Sequence, residues 1–172
     1  YVSIMDTRFC CVGKPPTRIS LQNPDILVMN RPVANTSPSS QLIIEQIGRL
    51  RGRKDWTAEM VIEQGSVRNT SPLTSDQSMV VNELINDIDA APKYCFENSR
   101  RAAFHHEDAV YTEGYVFLSN YDLAIEHAWV ELDERVAELT FKERPDVPED
   151  SVYLGVSYDD DTVREVLTER TY

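Results

Sequence analysis

Glycine is scarce in this 172-residue chain. There are six, and none falls in the spaced strand-to-helix pattern that cradles a phosphate group. Cysteine is as sparse: three residues, an odd number, two of them the neighbours Cys10 and Cys11. Adjacent cysteines rarely bridge each other and no regular spacing marks a disulfide framework, so free thiols in a reducing compartment are expected. The three histidines, His105, His106 and His127, show no zinc-ligand spacing with the cysteines, and neither a metal nor another cofactor is expected. Long apolar runs are missing too. None approaches the length of a membrane-spanning helix, and no secretory signal pattern opens the sequence. The first residue is Tyr1 rather than Met, which leaves room for a segment upstream.

Positive charge is the last shortage. Lys and Arg number 17 against 29 Asp and Glu, a net charge of -12. Residues 1–90 carry 9 basic and 10 acidic side chains, whereas residues 91–172 carry 8 and 19. A C-terminal half so acidic repels phosphate backbones and anionic lipid, which disfavours nucleic acid and membrane as partners. The one basic cluster, Arg49 to Lys54, reads as a solvated helix end whose cations suit the local dipole.

What is present is ordinary globular material, 41% apolar and 27% charged, enough for one domain with a real core. Residues 1–75 read as β segments and short helices, either part of that domain or a small subdomain. Short β segments span 1–30, a Pro- and Ser-rich loop follows, and a helix begins near Ser39 with Leu42, Ile43, Ile47 and Leu50 on one face. A short helix fits Trp56 to Gln64. Residues 76–172 read as the main core. A helix from about Asp76 to Ile88, capped by Thr74 or Ser75, carries Met79, Val80, Leu84, Ile85 and Ile88 as a core stripe. Pro92 suits the first turn of a helix running to about His106. Strands are expected at about Ala109 to Leu118, Ala124 to Leu132, Val136 to Phe141 and Ser151 to Tyr158, before a final helix led by Asp159 to Asp161. The fold class is α+β, with helices on one face of an antiparallel sheet.

Three residues in this half carry chemistry. Cys95 falls at the start of a helix, where unpaired backbone N–H groups favour the thiolate. The alternative for Cys95 is a small buried hydrophobe. Strand alternation places Ile125, His127 and Trp129 on one face, so His127 is shielded and needs a partner. A two-residue turn at Asp133-Glu134 would pair Leu132 with Arg135 and Trp129 with Glu138. Glu138 then lies diagonal to His127 on the same face; an odd-length turn would separate them. A thiol, an imidazole and an orienting carboxylate are the parts of cysteine-based acyl chemistry.

These residues resemble the transglutaminase-like superfamily of papain-type cysteine enzymes. The motifs are Tyr94-Cys95-Phe96-Glu97-Asn98, then Glu113-Gly114-Tyr115, then His127-Ala128-Trp129-Val130-Glu131, then Glu138-Leu139-Thr140. They cover about fifty residues, and uncharacterised phage and microbial proteins share the Cys, His-Ala-Trp core. The resemblance implies a papain-type core with the nucleophile helix against the sheet. It implies Cys95 as nucleophile, His127 as general base and acid, and Glu138 as the orienting carboxylate. Asn98, Trp129 and Tyr94 would line the substrate site. Two departures stand out: Glu138 replaces the family's Asp, and Tyr94 replaces the glycine before the cysteine.

The expected function is thiol-dependent acyl transfer or amide hydrolysis through an acyl-enzyme on Cys95, of protease, amidase or transglutaminase type. The substrate would be a protein or peptide amide. The competing expectation is a non-catalytic binding module of the same fold with a protein partner, such as a viral structural protein or an inhibitor of a host protein. Either role is expected in the cytoplasm, which for a viral protein is that of the host, or in the virion.

Overall fold

The structure, a computed structural model, describes residues 38–51, 56–141, 150–159, 161 and 163. The expected β segments of residues 1–30 and most of the expected final helix lie outside them. In chain order the elements are α1 (Pro38–Arg51), α2 (Trp56–Gln64), β1 (Ser66–Val67), α3 (Ser75–Asp87), α4 (Cys95–His105), β2 (Val110–Leu118), β3 (Leu123–Leu132), β4 (Arg135–Ala137) and β5 (Val152–Ser157).

Local chemistry accounts for most of the boundaries. Thr74 caps α3 and closes a capping box: its hydroxyl accepts from Gln77 N–H while the Gln77 side chain accepts from Thr74 N–H. β3 turns into β4 through Asp133 and Glu134, both with positive φ (48° and 61°), as a tight two-residue hairpin requires. Leu132 therefore pairs with Arg135, as counted from the sequence.

The five strands form one antiparallel sheet in the order β1-β5-β2-β3-β4. Its two edges meet. Just past β1, Asn69 makes a parallel bridge with Arg135 of β4, and the Asn69 carbonyl accepts from Val136 N–H at 2.9 Å. The sheet is thus curled, with an outer and an inner face.

The outer face carries the helices. Ile43 and Ile47 of α1, Val61 of α2, Val81 and Leu84 of α3, and Ala102 and Ala103 of α4 bury against Tyr111, Tyr115, Ala128, Val130 and Leu154. Residues on both sides of position 75 thus share one core. The inner face holds a second cluster of Val116, Leu118, Ile125, Trp129, Phe141 and Tyr153. Trp129 fits there because Gly155 has no side chain: a Cβ on Gly155 would lie 2.6 Å from both the Trp129 ring and the Glu113 carbonyl.

Three expectations change. Met79 is 59% exposed, whereas the rest of the expected α3 stripe holds: Leu84 and Ile88 are buried, Val80 and Ile85 pack against the core, and Gln77 and Val81 join the buried face. Leu42 is likewise exposed on α1, where Ile43 and Ile47 face the core. Pro92 does not start a helix. It sits in a turn before Lys93, whose φ of +72° no helix accepts, and α4 begins at Cys95. No described helix is long and apolar enough to cross a membrane.

Candidate functional site

Counting residues along β3 puts Ile125, His127, Trp129 and Glu131 on the inner face, with Glu126 exposed on the other. His127 is fully buried, opposite Gly114 of β2. Beside it β4 stops early. The expected strand to Phe141 ends at Ala137, because Glu138 turns the chain: its Oε2 accepts from Phe141 N–H at 3.2 Å. That turn aims the other carboxylate oxygen inward, where Oε1 lies 2.6 Å from His127 Nε2. The same turn lays the Phe141 ring flat on the imidazole, with centroids 4.2 Å apart and planes 6° apart.

A further group completes this cluster. Tyr153 of β5 donates its hydroxyl to Glu138 Oε1 at 3.1 Å, and its ring stands edge-on to Trp129 at 5.1 Å. The sequence places Tyr153 in a strand but not beside β2, since that pairing is long-range. The alternation of Val152, Leu154 and Val156 is the one signal that Tyr153 faces away from the helices.

The electrostatics follow from this packing. Burial by itself would raise the Glu138 carboxyl. The His127 imidazole beside it, with the hydrogen bonds from His127, Phe141 N–H and Tyr153, outweighs burial and holds it below the ordinary carboxylate value. Tyr153 is pushed well above the ordinary phenol value by burial, reinforced by the Glu138 charge and hydrogen bond, so it stays a donor.

The other expected residues have different surroundings. Cys95 is the first residue of α4, fully buried and disulfide-bonded, in contrast to the expected free thiol. The chain's other cysteines, Cys10 and Cys11, lie outside the described residues. α4 packs on β3 and β2, and its first turn is tied to the segment after β4 by Asn98, whose amide donates to Thr140 Oγ1 at 3.0 Å. Asn98 also donates to Ala91 O and accepts from Ala91 N–H, so its buried side chain braces the loop that enters α4. The same amide thus pins that loop within two residues of Glu138. Trp129 is fully buried and gives its indole N–H to Glu131 Oε1 at 3.2 Å. Tyr94 is 52% exposed at the N-cap of α4 and makes no side-chain capping bond.

Beyond Trp129 the inner face has a second polar group. Glu131 accepts from Thr112 Oγ1 at 3.2 Å and lies 3.4 Å from Arg68 Nε, while Arg68 donates to Gly155 O at 2.7 Å. Solvent approaches Glu138 through a cavity of about 240 Å³ between the 70–73 loop, α3 and Val136. The Glu138 side chain is 18% exposed. Among the described residues no group of three or more His, Cys, Asp and Glu is placed to hold a metal ion.

No family model, curated protein or solved structure matches this chain.

Proposed function

We propose that the chain is a thiol-dependent acyl-transfer or amide-hydrolysing enzyme of transglutaminase-like type, acting through Cys95 once that residue is reduced. The observation that carries the reading is the buried His127–Glu138 contact of 2.6 Å, an imidazole fixed by an ionised carboxylate. Such a carboxylate sets the ring orientation and stabilises the imidazolium that forms during catalysis.

In the proposed cycle the imidazole takes the thiol proton and the Cys95 sulfur attacks the carbonyl carbon of an amide. The oxygen of the tetrahedral adduct gains the negative charge, which the positive end of the α4 dipole would stabilise. The imidazolium returns its proton to the leaving nitrogen as the C–N bond breaks. A thioester remains on Cys95. Water or an acceptor amine, deprotonated by the imidazole, then attacks it and releases the thiol.

A second reading has its own observation. Cys95 is fully buried and disulfide-bonded, which suits a non-catalytic module of the same fold serving as a viral structural protein or an inhibitor of a host protein. Alkylation separates the two. After reduction with dithiothreitol, iodoacetamide near neutral pH reacts selectively at Cys95 in the enzyme, and His127→Ala slows that reaction sharply. An inert Cys95 in reduced protein that keeps its native circular dichroism overturns the enzymatic reading.

A further inference from the structure

The Glu138 carboxylate receives three donors from three different parts of the chain: the His127 ring on β3, the Phe141 N–H in the turn after β4, and the Tyr153 hydroxyl on β5. Two of them, His127 and Tyr153, share the same oxygen, Oε1. The Tyr153 ring is held edge-on against Trp129 and tilted over His127 at 6.4 Å, so its hydroxyl has little freedom to swing away.

We infer that Tyr153 is the positioning residue of this site: its hydroxyl fixes the carboxylate against the His127 ring and limits how tightly that carboxylate holds the imidazolium proton. The inference rests on the His127–Glu138 pairing of the proposed function and adds a third member to it.

The physical reason is competition at one oxygen. Glu138 Oε1 distributes its charge between a phenolic donor and an imidazole donor. A donor to the carboxylate draws charge from it, so the imidazolium beside it is less stabilised than it would be against an unshared carboxylate. A base that holds its proton too firmly is a poor general acid for the leaving nitrogen, so tempering matters for both halves of a proton shuttle. Among the described residues, Tyr153 is the side chain that donates to Glu138 alongside His127. Glu131 and Arg68 are paired with each other at 3.4 Å, on the far side of Trp129 from His127. The rings of Phe141 and Trp129, which carry no charge, also stack on the imidazole.

The test is the titration of His127 followed by NMR of its ring nitrogens, readable among only three histidines. Tyr153→Phe keeps the ring and its packing and removes only the hydroxyl. It raises the pH at which His127 titrates by roughly half a unit to one unit, the share of a charged hydrogen bond returned to the imidazolium. Glu138→Gln lowers it. A role in packing alone predicts no shift in Tyr153→Phe, and that result, or a downward shift, overturns the inference while leaving the His127–Glu138 pair in place. If Glu138→Gln leaves the His127 titration where it was, the pairing itself fails, and the inference falls with it. Both readings use the ring titration, independent of whether Cys95 reacts.

Discussion

Replacing Glu138 by Gln removes one charge from the inner face while keeping the side chain's size. The carboxylate accepts at both oxygens, from His127 and Tyr153 on one and Phe141 N–H on the other. An amide has one acceptor oxygen, and its NH2 group must then face a donor. The variant loses a hydrogen bond to a charged group and leaves a partly buried donor unsatisfied, which costs about 2–3 kcal/mol near neutral pH. In a chain of this size that lowers the melting temperature by roughly 5–10 °C. The cost depends on pH in a definite direction. Because the folded Glu138 carboxyl titrates below its unfolded value, its contribution is complete above the unfolded pKa of about 4.3. It is lost as pH falls through the lower folded value. Urea unfolding followed by circular dichroism, for both proteins at a series of pH values, therefore finds a gap that is widest near neutrality and closes in acid. A gap that stays constant into acid, or is absent at neutral pH, refutes the electrostatic account of this pair.

Three further outcomes follow from other parts of the fold. Gly155→Ala forces a Cβ to within 2.6 Å of the Trp129 ring and the Glu113 carbonyl, so it destabilises by about 1–3 kcal/mol in urea unfolding and shifts the Trp fluorescence. Glu134→Gly relieves a left-handed backbone at φ 61° in the β3–β4 turn and stabilises by about 1 kcal/mol, read as a higher urea midpoint at unchanged slope. Burial holds Tyr111, Tyr153 and Tyr158 above the ordinary phenol range, so their stabilisation is complete below the unfolded pKa of about 10 and lost as pH rises through the folded values. Tyrosinate absorbance then shows Tyr111, Tyr153 and Tyr158 ionising late, together with alkaline unfolding.

Some of the site is legible in the sequence because it depends on short-range counting. Strand alternation assigns His127 and Trp129 to one face, and a two-residue turn at Asp133-Glu134 makes Glu138 the diagonal neighbour of His127. Both steps need only the period of a strand and the length of a loop. The capping box at Thr74 and the limits of α2 are legible for the same reason, since each depends on residues within one turn.

Where the sequence falls short, the missing information is long-range. Met79 and Val81 are both apolar and two residues apart, on nearly opposite sides of the helix, and only the position of the sheet decides which is buried. The start of α4 depends on Asn98 reaching back to Ala91 and across to Thr140, contacts that override the preference of Pro92 for a first turn.

By itself, then, the sequence determined the α+β class, most element boundaries and the partner of His127, because backbone periods and turn chemistry are local. Tertiary structure alone decided the rest: the insertion of β5 between β1 and β2, the curl that joins Asn69 to Arg135, the arrival of Tyr153 at Glu138 and the burial of Cys95 in a disulfide. Each brings together residues distant in the chain, and that closure depends on what the whole core can bury, which no local window contains.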